Sequence, residues 1–483
     1  MAADVPTLEN FIGGEWRKAA AAESVDLPDP STGHLLARVP MSGADDVDAA
    51  VSAARDAFGP WRATPVADRA RVIARFRELL IADSEELARV VTRENGKTID
   101  ESRGSIRRGI EATEFAIHAP TLLQGSSLRN VSPGVDTELV RAPVGVVAGI
   151  TPFNFPVMVP LWMAPLALAC GNTFVLKPSE RVPLSALRLA GLFGKAGVPP
   201  GVFNVVLGAR DAVDALLAHP GVDAVGFVGS APVARHVYAT AAKHGKRVLA
   251  LAGAKNHLIV LPDADLDRSV GAIMSSAFGS AGERCLAGSV VVAVEPGADR
   301  LVEAIAERVR KLRLGPGEGP STEMGPVIRA DHRARVQAAT DRAESEGAVV
   351  VARGQCPEGS AGYFLPPVLF DRVRPEMAVA QEEIFGPVLA VIRVGSLDQA
   401  IEVANRSKFG NAAAIFTRDG KAAREFTERI EAGMVGVNIG VPAPPAYFPF
   451  VGWKGSVNGD LAATGREAVQ FYTRTKVVTS RWF

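Results

Sequence analysis

The sequence predicts an α/β protein with two successive parallel-sheet domains and a β-ribbon that stands apart from both. Three observations carry this expectation. Residues 144–150, 173–177, 203–206 and 224–228 are short apolar runs, and each is followed by a helical pattern. Such alternation argues for a parallel sheet covered on both faces. A second α/β stretch runs from about Gly253 to about Gly436, with strands at 289–294 and 388–394 and helices around 300–311 and 329–346. Between the leading helices and the first of these strands, residues 124–142 form an extended, partly polar hairpin that breaks the rhythm. A ribbon of that kind suits an oligomer contact.

The elements come in order along the chain. Residues 10–16 read as a hairpin and 28–33 as a turn cluster rich in Pro, Asp and Gly. From Ala44 to about His118 the pattern is helical, with Ser42 or Asp45 as the candidate first cap and apolar residues recurring at three and four over 66–80. Arg108 falls on the last of these helices. The tail, residues 470–479, reads as a strand, and an exposed terminal strand usually pairs with something.

Composition narrows the function classes. Among 483 residues, Lys+Arg and Asp+Glu both number 53, so no net field attracts nucleic acid or an anionic membrane. The most apolar window, 157–169, is broken by Pro160 and Pro165 and is too short to span a bilayer. Residues 1–10 lack the basic flank and apolar run of a secretory signal. Cys170, Cys285 and Cys356 have no paired spacing, which suggests a reducing compartment, and the expected location is the cytoplasm. Cys170 reads as core packing and Cys356 as a surface thiol. The seven histidines show no ligand spacing and no metal is expected; His257 reads as structural.

Three stretches carry chemistry. Cys285 sits in Gly279-Ser280-Ala281-Gly282-Glu283-Arg284-Cys285, among small residues that let a substrate approach. The adjacent Arg284 would favour the thiolate, the nucleophilic form. Most free cysteines are simply small buried hydrophobes, and this stretch alone leaves both readings open. Lys177-Pro178-Ser179-Glu180 comes after a strand; proline holds Lys177 extended, and the Lys–Glu pair suits a ribose diol while repelling a 2′-phosphate. Gly229-Ser230-Ala231-Pro232 comes after another strand, with Ser230 as an N-cap whose helix would offer N–H groups to a pyrophosphate. No G-x-G-x-x-G occurs, so an ordinary Rossmann fingerprint is absent.

Thr151-Pro152-Phe153-Asn154-Phe155-Pro156, Lys177 to Glu180, Phe227 to Ser230, Gly282 to Cys285 and Glu382-Glu383-Ile384-Phe385-Gly386-Pro387 occur together in one order. In that order and spacing the chain resembles the aldehyde dehydrogenase superfamily over nearly its whole length. The resemblance implies an aldehyde-dehydrogenase-like fold. Residues 1–123 and 143–252 would form an NAD-binding domain, 253–436 a catalytic domain, 124–142 with 466–483 an oligomerisation ribbon, and 437–465 a return segment. It also implies that Cys285 is the nucleophile and Asn154 the oxyanion-hole amide, together with the Cys285 N–H. Thr151, Phe153, Lys177, Glu180, Arg181, Ser230, Ala252, Glu383 and Phe385 would contact NAD, with Glu383 at the nicotinamide ribose.

One departure selects a branch. Hydrolytic members carry a glutamate where this chain has Leu251, in Leu251-Ala252-Gly253-Ala254-Lys255-Asn256-His257. Leucine cannot activate water, whereas a thiol nucleophile needs less help, which points to deacylation by coenzyme A. With Gly440-Val441-Pro442-Ala443-Pro444 and Phe448-Pro449-Phe450, the combination is similar to the CoA-acylating methylmalonate-semialdehyde dehydrogenases. These also act on malonate semialdehyde, in inositol and valine catabolism. The expected reaction is NAD-dependent oxidation through a Cys285 thioester, loss of CO2, and release of acetyl-CoA or propionyl-CoA. The alternative is a hydrolytic dehydrogenase making a free acid. A substrate carboxylate suits arginine; Arg284 and Arg108 are the candidates and Arg107 the rival. A homotetramer, a dimer of dimers, is the expected assembly.

Overall fold

The computed structural model describes residues 5–483. Two sheets organise it. The first runs Glu15–Arg17, Asn10–Ile12, Phe203–Val205, Thr173–Lys177, Val146–Ile150, Ala224–Val228, Arg247–Leu251, Val457–Asn458. Its five inner strands are parallel, and short antiparallel strands close both edges. Every residue of Val146–Ile150 and Thr173–Lys177 is buried, as expected of strands covered on both faces.

The second sheet runs Val349–Arg353, Val368–Asp371, Val388–Val394, Gly288–Val294, Asn256–Val260, Ala412–Phe416, Met434–Val437. All its pairings are parallel except that of the edge strand Val349–Arg353.

The leading helices are Ala44–Ala63, Val66–Ala82, Ser84–Asn95 and Ile99–Ile117. Neither Ser42 nor Asp45 caps the first. Gly43 holds the cap position without a side-chain bond, Asp45 lies inside the first turn, and the Ser42 hydroxyl is occupied by Asn10 Nδ2 at 3.0 Å. The true capping box is at the fourth helix. Thr98 Oγ1 accepts from Glu101 N at 3.3 Å, and Glu101 Oε2 accepts from Thr98 N at 3.0 Å.

A third, three-stranded antiparallel sheet joins the hairpin Ser126–Ser132 and Val135–Pro143 to the tail strand Thr473–Arg481, with Thr473 opposite Pro143 and Arg481 opposite Val135. The tail strand begins later than the sequence suggests. Residues 470–472 close the helix Gly465–Tyr472, because Ala468, Val469, Phe471 and Tyr472 bury one helical face. Leu128 and Val477 of this sheet, and Trp482 just beyond it, remain exposed. No helix among the described residues is long and apolar enough to cross a membrane.

Candidate active site

A cavity of about 920 Å³ is walled by the ends of both sheets. The first sheet contributes residues just beyond the carboxyl ends of its strands: Thr151, Phe153 and Asn154 after Ile150; Glu180 and Arg181 after Lys177; Ser230 after Val228; Ala252 after Leu251. The second sheet contributes residues just ahead of the amino ends of its strands: Cys285 before Gly288, Glu383 and Phe385 before Val388, Asn411 before Ala412. Carboxyl ends therefore face amino ends. A second cavity of about 430 Å³ also reaches Cys285 and holds Arg108 and Arg284 among Met158, Trp162, Val441 and Phe450. Arg107 is exposed and lines neither cavity.

The Cys285 loop is held through its backbone. Asn256 Nδ2 donates to Cys285 O at 2.9 Å and to Ala287 O at 2.8 Å, while its Oδ1 accepts from Ala412 N at 3.0 Å. Asn411 Nδ2 donates to the same Cys285 O at 2.8 Å. Upstream, Ser280, Ala281 and Gly282 are all left-handed, with φ of 49°, 51° and 75°. For the two non-glycines this conformation costs roughly 1–2 kcal/mol each. Gly282 is required twice over, since a Cβ there would also collide with the carbonyl of Gly386.

Asn154 Nδ2 donates to Glu283 O at 2.8 Å, which brings the expected oxyanion amide against the cysteine loop. Beneath it, Lys97 is fully buried. Its Nζ donates to Asn154 O and lies 4.3 Å from the Phe155 ring centroid, and Asn95 Nδ2 donates to Phe153 O at 3.1 Å. Sequence reasoning missed Lys97, Asn411, Glu101 and the bridging role of Asn256. The available signal was a polar residue opening a wholly buried strand, as at Asn256 and just before Ala412, or a cation beside a helix-ending glycine, as at Gly96-Lys97.

The first cavity also suits a dinucleotide on its own chemistry. The Thr151 hydroxyl is buried without a partner among the described residues. Ser230 occupies its N-cap position as expected, but its side chain makes no cap bond. Lys177 Nζ donates to Gly208 O at 2.9 Å and stands 4.0 Å from Glu180. Burial works against the Glu180 carboxylate, yet Lys177 and its other neighbours hold it below the usual range. Arg181 stacks over Phe153 at 5.4 Å.

Residues 16–478 match the model of the aldehyde dehydrogenase family. The chain belongs to that family. It is 54% identical to malonate-semialdehyde dehydrogenase 2 of Geobacillus kaustophilus, with all of both chains covered. It superposes on the crystal structure of a methylmalonate-semialdehyde dehydrogenase from Oceanimonas doudoroffii with a TM-score of 0.97, at 48% identity over 99% of each chain. An NAD+ complex of an aldehyde dehydrogenase from Bacillus cereus gives a TM-score of 0.94 at 34% identity, over 98% of this chain and 96% of that one.

Within this aldehyde dehydrogenase the electrostatics of the cysteine differ from the expectation. Burial, then the Glu383 charge, push the Cys285 thiol up to about 12, although its surface is still partly open to the cavities. Arg284 and the N–H groups of Cys285 and Leu286 oppose this and lose. The cation is engaged elsewhere: Arg284 Nη2 pairs with Glu101 at 2.9 Å, Nε donates to Ser280 Oγ at 3.3 Å, and Nη1 to Ser275 O at 3.3 Å. Arg108 is likewise engaged, with Glu111 at 2.8 Å and with the carbonyls of Ala443 and Pro444 at 2.9 and 3.0 Å. Glu383 Oε1 accepts from Ala254 N at 2.9 Å, and burial raises that carboxyl too. His257 is buried and pushed down to about 4 by burial, Cys170 is buried, and Cys356 is exposed.

Labelling rates read this balance directly. Without cofactor, iodoacetamide labelling of Cys285 rises about tenfold per pH unit from 7 to 9 with no plateau, because the thiolate fraction tracks pH below the pKa. Glu383→Gln removes the opposing carboxylate and speeds labelling at pH 7; mass spectrometry of the Cys285 peptide reads both. Lys97→Met leaves the Asn154 carbonyl without its donor. Turnover falls by about 10–100-fold, since an ångström of misplacement carries that cost, while NAD binding measured by fluorescence quenching is unchanged.

Proposed function

We propose that this chain oxidises malonate semialdehyde or methylmalonate semialdehyde with NAD, releases CO2, and delivers the acyl group to coenzyme A. The observation that carries the reading is one cysteine opening onto two unlike cavities. One is large and lined by a lysine, a carboxylate and an unsatisfied hydroxyl; the other is small and apolar, with two arginines at its wall. The names of the Geobacillus and Oceanimonas relatives specify the same two aldehydes.

Thr151, Lys177, Glu180, Arg181, Ser230 and Glu383 would hold the NAD, with Phe153, Ala252 and Phe385 completing its walls. Bound NAD accepts the hydride. Cys285 loses its thiol proton to solvent and Sγ attacks the aldehyde carbonyl. The resulting oxyanion lies against the Cys285 N–H and the second N–H of Asn154, since its first is used by Glu283 O. Hydride loss leaves a thioester on Sγ. Arg284 and Arg108, with N–H groups still free, receive the substrate carboxylate. That carboxylate is β to the thioester carbonyl, so loss of CO2 leaves an enolate, which the same oxyanion donors stabilise until carbon is protonated. The CoA thiol then displaces Cys285, which regains its proton.

Leu251 lines the same cavity as Cys285, at the position where the resemblance places a water-activating carboxylate. Water deacylation therefore lacks that base, and the hydrolytic alternative has no observation in its favour. NADH formation from malonate semialdehyde without CoA tests this. A burst of about one equivalent per subunit that stalls, and resumes on adding CoA with acetyl-CoA as product, is expected. Sustained turnover without CoA overturns it.

The ribbon, with Leu128, Val477 and Trp482 exposed, is the proposed contact of a cytoplasmic homotetramer. Deleting residues 473–483 is expected to lower the mass measured by light scattering to that of a smaller species; an unchanged mass removes the ribbon from the assembly.

A further inference from the structure

We infer that Glu101 is a positioning residue, one that orients Arg284 and the Cys285 loop together and thereby sets the preference for aldehydes bearing a carboxylate. This rests on the reading of Arg284 as the carboxylate contact.

A single carboxylate ties three elements. Glu101 Oε1 accepts from Ser280 N at 2.6 Å and from Arg284 Nη2 at 2.9 Å, while Oε2 accepts from Thr98 N at 3.0 Å. Ser280 opens the left-handed run that turns the chain towards Cys285, and its N–H points at Glu101 across 179 residues of sequence. Arg284 is placed as tightly. Each of its three nitrogens has a protein acceptor, and its guanidinium lies where a Cβ on Gly279 would stand. Of five N–H groups three are used, so two remain for a substrate carboxylate, in a direction that Glu101 determines.

Glu101 also stands in the first turn of the helix that carries Arg108. The two residues are seven apart, two turns along the same face, and both line the smaller cavity with Arg284 and Cys285. The carboxylate thus holds Arg284 directly, while the helix it caps carries Arg108 to the same cavity. An anion beside a site for anionic substrates would be a liability if charge alone mattered. Its pairing with Arg284 makes it a means of orientation, since a guanidinium discriminates by the direction of its fork.

The full-length enzyme is assayed with malonate semialdehyde and with propanal, which has the same length and no charge, under saturating NAD and CoA. Glu101→Gln keeps an acceptor for Ser280 N but loses the charge that holds Arg284. Its kcat/KM for malonate semialdehyde is expected to fall about tenfold or more, through KM, while that for propanal changes less than about threefold. Thr98→Ala breaks the capping box without touching Arg284; it lowers the melting temperature and leaves the ratio of the two substrates unchanged. A purely helix-capping role would make the two variants alike. If Arg284→Lys abolishes the preference and Glu101→Gln does not, the positioning role is wrong and the carboxylate contact stands. If Arg284→Lys also leaves the preference intact, the carboxylate contact itself is wrong. Should Glu101→Gln not fold, Glu101→Asp, which withdraws the charge by one methylene, is read against the same outcomes.

Discussion

The carbonyl oxygen of Cys285 accepts two side-chain amides, from Asn256 and Asn411, and much of the site depends on that pairing. A buried carbonyl needs a partner, and here both partners stand at the beginnings of parallel strands of the second sheet. The Cys285 loop is therefore fixed to a rigid sheet. Asn256 extends the tie by bridging to Ala287 and Ala412, so the loop, its following strand and a neighbouring strand move as one body. The first sheet meets this body through Asn154, which donates to the carbonyl of Glu283 and is itself held from below by Lys97. Asn154 and the Cys285 loop are thus joined by a short chain of hydrogen bonds that crosses from one sheet to the other.

That rigidity has an electrostatic cost. Enclosing the thiol favours its neutral form, and Glu383 adds to the effect. Burial acts in the same direction on the ammonium groups, lowering Lys97 and Lys255 to about 8. Burial thus biases the thiol and these two ammonium groups towards their neutral forms, as low-dielectric surroundings favour, whereas Glu180 is held below its usual range. By its place in sequence Arg284 would serve the thiolate, but its guanidinium is turned to Glu101, Ser280 and Ser275. Adjacency along the chain placed the charge close without aiming it.

Much of the site was legible because its residues occupy short segments with strong local constraints. Proline after Lys177, glycine before Ser230 and the small residues before Cys285 are each readable from backbone chemistry. All the expected cofactor residues do line the larger cavity, and both candidate arginines line the smaller. The less legible parts were those made by contacts distant in sequence. Lys97 and Asn154 are 57 residues apart, and Asn411 and Cys285 are 126 apart; neither pair leaves a local pattern. The rule that ligands sit at strand carboxyl ends served the first sheet. It said nothing of the second, whose amino ends complete the cavity.

The sequence by itself determined the alternation that builds two parallel sheets, the small residues around Cys285, and the apolar side chain at Leu251. These come from side-chain chemistry and local backbone preference, which act over a few residues. Only the tertiary structure decided that the ends of the two sheets oppose each other, that the Cys285 thiol is held neutral, and that Arg284 answers to Glu101. Burial and hydrogen-bond partners depend on what the fold brings close in space, and a linear order of residues does not specify that proximity.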